Sequence, residues 1–183
     1  MSAPTADVSV RLAWATDATA IADVQVDAWR EGYAGLLPDE LLAALPRDQF
    51  AEQWQQSISR PSDARQRVLV ALERASVRGF AATLPAGDAD TDPGNDGEVA
   101  EFAVLPAHRG EGHGSRLLHA VVDTLRADRF SHATMWLNST NDELRSFLVG
   151  QGWAADGAHR ELDLHGDGSV TVKQVRLHTD LTN

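Results

Sequence analysis

Glu98-Val-Ala-Glu-Phe-Ala-Val-Leu-Pro-Ala-His-Arg-Gly-Glu-Gly-His-Gly-Ser115 is the stretch on which the fold turns. Val99 to Leu105 reads as a strand, ended by Pro106, and Arg109 to Gly114 is a glycine-rich turn. Leu117, Leu118, Val121, Val122 and Leu125 then form one apolar stripe of a helix. Gly110, Gly112 and Gly114 leave backbone N–H groups uncovered at the helix start, where the helix dipole adds positive potential. That combination suits an anion, a pyrophosphate best. The plainer alternative is a glycine turn that only joins two elements. Rival phosphate motifs fail. A P-loop needs Gly-Lys-Ser/Thr, but Ser115 and Arg116 follow Gly114. The dinucleotide fingerprint needs G-x-G-x-x-G, whereas these glycines run G-x-G-x-G, and late in the chain. A kinase loop lacks its companion segments.

Working outward, Val8 to Leu12 alternates as a strand, and Asp17 reads as the N-cap of a helix that carries Ile21, Val24 and Ala28 and ends near Gly32. A turn over Gly35-Leu-Leu-Pro38 precedes helices at Asp39–Leu45 and Asp48–Ile58, the second with Phe50, Trp54 and Ile58 on one face. Strands follow at Arg67–Leu72 and Val77–Leu84, then a Gly-, Asp- and Pro-rich hairpin loop from Pro85 to Gly97. Beyond the central helix come a strand at Ala133–Leu137 and a helix opened by the capping box Thr140-Asn-Asp-Glu143, carrying Leu144, Phe147 and Leu148. Two last strands, Ala158–Leu164 and Val170–Leu177, flank the turn His165-Gly-Asp-Gly168. With no repeat and no linker, the expectation is one α/β domain over residues 1–183: a mixed sheet with helices on both faces. The strands on either side of the central helix form a βαβ unit and should be parallel.

The chain has 183 residues, 43% of them apolar, and no cysteine, which excludes disulfides, a thiolate nucleophile and Cys-ligated zinc. No apolar run is long enough for a membrane helix, and Met1-Ser-Ala-Pro-Thr5 lacks the features of a signal peptide, so cytoplasm is the expected compartment. The formal net charge of −11 repels nucleic acid and attracts cationic amines; it also serves solubility. Asp88, Asp90 and Asp92 begin like a calcium loop, but Pro93 stands where glycine is required and Val99 where glutamate is, so a solvated hairpin loop is expected. The histidines have no i, i+4 zinc spacing, and no metal is expected. The tryptophans read as core, with Trp29 and Trp54 as candidates for the wall of an apolar pocket.

Arg109-Gly-Glu-Gly112-His-Gly114 resembles the Q/R-x-x-G-x-G/A acyl-CoA motif of the GNAT superfamily of N-acetyltransferases. Phe147-Leu-Val-Gly-Gln-Gly152-Trp153 resembles that family's F-Y-x-x-x-G-F segment, and Trp29-Arg-Glu-Gly-Tyr-Ala-Gly-Leu-Leu-Pro38 its helix-turn-helix entry. In element order the likeness runs from about residue 8 to 178. It implies a GNAT-like fold, mostly antiparallel, with one parallel pair at the CoA site. It also implies acyl transfer from acetyl-CoA to a primary amine on a small molecule or peptide; a homodimer is a candidate assembly, and no nucleic-acid or membrane partner is expected.

By this resemblance Phe102 and Val104 bond the acyl carbonyl and pantetheine through their backbone. Arg109, Gly110, Gly112, His113, Gly114 and Ser115 cradle the phosphates. Asn138 meets the arm from the opposite strand, and Asn141, Leu144 and Phe147 line its far side. The family's tyrosine acid is replaced by Leu148, which cannot donate a proton, so a CoA-binding sensor or structural subunit without turnover is the rival reading. Glu98, at the head of the acyl-holding strand, is the expected base. Strict alternation puts Glu101 on the opposite face. Tyr33, the single tyrosine, is the candidate for substrate binding or for the missing acid.

Overall fold

The computed structural model describes residues 7–164 and 166–183; the reading of Met1–Thr5, and His165 of the last turn, fall outside them. β1 (Val8–Leu12) leads into α1 (Ala18–Gly32), α2 (Asp39–Ala43) and α3 (Arg47–Ser59). β2 (Arg67–Glu73), β3 (Ser76–Pro85) and β4 (Asp96–Val104) follow, then α4 (His113–Ala127), β5 (His132–Asn138), α5 (Asp142–Gly150), β6 (Ala154–Asp163) and β7 (Thr171–Asp180). One seven-stranded sheet has the order β1-β2-β3-β4-β5-β7-β6, and only β4 and β5 pair in parallel.

Residues alternate across the sheet into two cores. Leu69 and Ala71 of β2 join Leu117, Leu118, Val121 and Leu125 of α4 on one side. Val68, Val70 and Leu72 join Ile21 and Val24 of α1 on the other, with Trp54 and Ile58 of α3 packed against them.

Several local expectations are revised. Asp17 makes no cap bond to α1; its carboxylate accepts from the Trp14 N–H at 2.7 Å and from the Arg11 guanidinium at 2.7 and 3.1 Å. α2 stops at Ala43 because Pro46 disfavours helix in the residue before it. α5 is capped by Asn141, not Thr140: its Oδ1 accepts the Leu144 N–H at 3.1 Å. β6 starts four residues early because its register shifts between Ala155 and His159, with Gly157 in the left-handed region.

The strand register carries the largest correction. Ala82 of β3 pairs with Glu101 of β4, but Thr83 pairs with Val99. Ala100 is therefore a bulge, and a bulge reverses the alternation beyond it. Val99 and Phe102 both meet the α4 core, while Ala103 turns to the α1 core. Glu98 and Glu101 consequently share the α1 face, against the expectation from strict parity.

The aspartate-rich loop is clasped, not merely solvated. Arg176 of β7 is buried and pairs with Asp88 at 2.9 Å, Asp90 at 2.6 Å and Asp156 at 2.6 Å. The Trp136 indole also donates to Asp88 at 2.8 Å. Arg176→Leu leaves the largely covered Asp88 and Asp156 side chains without their cation, and should cost about 1–2 kcal/mol after allowing for solvent screening, measured by urea unfolding at neutral pH. The arginine holds the Asp90 carboxyl below its usual range, so the cost should shrink as the medium is acidified and the aspartates protonate. An unchanged midpoint would show that the clasp contributes nothing.

Candidate active site

The parallel pairing of β4 with β5 runs only from Asp96–Val99 against His132–Met135. Beyond it the strands diverge, which leaves facing backbone edges at residues 100–104 and 136–138. A cleft of about 1110 Å³ opens at this splay. Gly110, Gly112, Gly114 and Ser115 of the glycine turn line it, as do Trp29 and Tyr33 from the end of α1.

Gly110 and Gly112 adopt φ of 78° and 86°, a region costly to residues with a Cβ. Gly112 is the N-cap of α4. The guanidinium of Arg116 lies 3.2 Å from where a Gly112 Cβ would stand and has no ion pair among the described residues. Arg116 is exposed and is not among the residues that line the cleft, but a residue four beyond the N-cap returns to the same side of the helix.

Of the residues expected to hold a phosphate-bearing ligand, Phe102, Val104, Arg109, Gly110, Gly112, Gly114, Ser115, Asn138, Asn141, Leu144 and Phe147 line the cleft. Phe102 and Phe147 stack at 6.1 Å between centroids. His113 does not line it: the side chain is 2% exposed and turned inward. Arg109 is engaged with Glu31 of α1 at 2.6 Å and Glu143 of α5 at 3.5 Å, a bridge across the mouth. Leu148 is fully buried in the α4 core and lines no part of the cleft. Trp54 also stays in the core, its indole bonded to Gln25 at 2.7 Å, while Trp29 does line the cleft.

Glu98 and Glu101 of the bulged strand both line the cleft. Burial pushes the Glu101 carboxyl up to about 7; it opens onto the cavity but is otherwise ringed by protein. Burial also raises Glu98, helped by repulsion from Asp88 and opposed by Arg160 and a bond from the Gly87 N–H. Tyr33 is packed edge-on to Trp29 at 5.6 Å, and Trp29 on Phe50 at 5.2 Å. Burial raises its phenol, the Asn138 amide opposes that, and the negative charge of Glu101 adds to it.

Donors and acceptors then fall into one order. Arg160 Nε donates to Gln174 Oε1 at 2.9 Å, and Gln174 Nε2 donates to Asn138 Oδ1 at 3.1 Å. Asn138, whose Oδ1 is taken by Gln174, acts on the Tyr33 phenol against the rise that burial imposes. Glu73, His108 and Glu111, the grouping of possible ion ligands among the described residues, lie outside the cleft.

The model of the acetyltransferase (GNAT) family matches residues 23–153. The chain belongs to that family. The GNAT member is 31% identical over 138 residues to the uncharacterized N-acetyltransferase YuaI of Bacillus subtilis, covering 75% of each chain. PaiA N-acetyltransferase of Thermoplasma acidophilum, solved with coenzyme A, superposes with a TM-score of 0.74 at 17% identity, covering 94% of this chain and 98% of that one. YncA of Salmonella typhimurium, solved with acetyl-CoA, gives 0.70 at 19% identity, covering 96% and 94%. The GNAT fold and the class of enzyme, an N-acetyltransferase, agree with the expectation from the glycine motif. No helix among the described residues is long and apolar enough to cross a membrane.

Proposed function

We propose that the chain transfers an acetyl group from acetyl-CoA to a primary amine by direct attack at the strand splay. The observation that carries this reading is the cleft where β4 parts from β5, lined by the glycine turn, Glu101 and Tyr33, with the charge of Glu101 acting on the Tyr33 phenol. The amides of Gly110, Gly112, Gly114 and Ser115, with Arg116, receive the phosphates; Arg109 exchanges a carboxylate for phosphate as the ligand enters. The pantetheine arm lies against the free edges of Phe102 and Val104, between Asn138 and the wall of Asn141, Leu144 and Phe147. Bound CoA in the similar solved structures supports this placement.

The acceptor must lose a proton to attack. Glu101, half ionised near neutral pH, is the base better suited than Glu98, since it lies on the parted segment and Glu98 on the paired one. As nitrogen bonds the acetyl carbon its proton passes to Glu101, the carbonyl oxygen leans on backbone N–H groups of β4, and the C–S bond breaks. Tyr33, oriented by Asn138, returns a proton to the sulfur. Its position accounts for an acid without a tyrosine at 148, which weakens the motive for a silent CoA-binding protein.

Thiol release from acetyl-CoA with a panel of amines tests the function. Release above the blank is expected. None, with acetyl-CoA still raising Tm, would leave a binding protein. Tyr33→Phe should lower kcat about tenfold, roughly 1.4 kcal/mol of barrier, with KM little changed. Full activity would leave water as the donor.

A further inference from the structure

Two arginines reach Trp136 of β5, and their partners separate their roles. Arg176 lies 5.4 Å from the ring centroid and is saturated by its three aspartates. Arg160 of β6 stacks over the same ring at 4.2 Å and gives its Nε to Gln174. Its two terminal NH₂ groups have no carboxylate partner among the described residues. Arg160 is half-buried and lines the cleft. A guanidinium fixed at Nε and laid on an indole loses little entropy when it binds, and its remaining donors match a carboxylate bidentately.

Glu98 and Glu101 line the same cleft. No hydrogen bond or ion pair joins Arg160 to Glu98, although their charges act on each other. A fixed cation and two carboxylates within one cleft complement a zwitterion. A polyamine would meet Arg160 with like charge, and a simple alkylamine would leave it unmatched.

We propose that the acceptor is a free amino acid, its carboxylate held by Arg160 on Trp136 and its amino group presented at Glu98 and Glu101. This rests on the transferase reading above and adds the substrate class. Gln174 then couples the two halves of the site: it holds Arg160 and also orients Asn138 before Tyr33.

The test compares each standard L-amino acid with its carboxamide, which keeps the amine and removes the negative charge, alongside spermidine, alkylamines and a peptide with a free N-terminus. At least one amino acid should exceed its amide by roughly 10- to 100-fold in kcat/KM. Arg160→Gln should raise KM for that amino acid about tenfold or more, close the gap between acid and amide, and leave KM for acetyl-CoA unchanged; Arg160→Lys should fall between. Amides, polyamines or peptides used as well as the acids would overturn the proposal while the transferase reading stands. So would an acid-to-amide ratio untouched in a folded Arg160→Gln. No thiol release with any acceptor would sink both readings. The ratio in the parent enzyme needs no variant, so it decides the matter even if Arg160→Gln fails to fold.

Discussion

Glu101→Gln is expected to lower kcat/KM by roughly 100-fold or more near neutral pH, within the range that a positioned general base supplies. The parent rate should rise with pH through about 7, where the Glu101 carboxyl loses its proton. The variant should lack that limb and follow only deprotonation of the free amine. Glu98→Gln should retain it, with a smaller loss. The same substitution has a second reading of opposite sign. A carboxyl at about 7 in the folded state, against the ordinary 4.5 of a glutamate, keeps a proton that the unfolded chain has released. Stability therefore falls as pH rises through that window. Glutamine removes the buried charge, so the variant should be the more stable at alkaline pH by on the order of 2 kcal/mol after allowing for water in the cleft, roughly 4–8 °C in Tm, and equal to the parent in acid. Lost activity with gained stability separates a base from a structural residue. A retained pH limb in the variant would remove Glu101 from the mechanism.

That residue was hidden from the sequence for a definable reason. Strict alternation sends Glu98 and Glu101 to opposite faces, and only the extra residue at Ala100 brings them together. One trace of the bulge was present: Val99, Phe102 and Val104 are all apolar, and the spacing of three between the first two cannot keep one face without an insertion. Arg160 left no such trace, because its role depends on the register of β6 against Gln174 and on a ring from β5. Pairings between distant strands are not written in local periodicity. The glycine turn, the stripe of α4 and the parallel pair were legible because each rests on a short-range pattern, either a backbone requirement or a helical repeat. The aspartates at 88, 90 and 92 had the opposite fault: a local motif was weighed, while the partner that explains two of them lies more than eighty residues away. Leu148 likewise reads as a lost acid in a motif, yet the fold places it among core leucines. A tyrosine there would have to bury its phenol, so restoring one tests packing before chemistry.

Gly112→Val should abolish detectable stabilisation by acetyl-CoA while the protein still folds. Gly112 sits at φ 86°, a conformation that costs a residue with a Cβ about 1–2 kcal/mol, and more for a β-branched one. The fold can bear this, since the added Cβ meets only the end of the flexible Arg116 side chain at 3.2–3.4 Å. Binding should not: relaxing the turn swings the amides off a common point, and the new side chain displaces the Arg116 guanidinium proposed to share the phosphates. Gly114 differs. A Cβ there meets Phe147 at 3.6 Å and Val104 at 3.8 Å, ordinary contact distances, so Gly114→Ala should weaken binding by less. With ligand at about 100 times the parent Kd, the stabilisation is about 2.7 kcal/mol, roughly 5–11 °C for a chain of this size. A 100-fold weaker Kd at that same concentration leaves about 0.4 kcal/mol, close to nothing on a melting curve. Thermal shift of the parent, Gly112→Val and Gly114→Ala at one acetyl-CoA concentration reads all three. A full shift in Gly112→Val would mean that the phosphates sit elsewhere, whereas a partial shift in Gly114→Ala beside none in Gly112→Val would place the anion at the N-cap of α4, under Arg116.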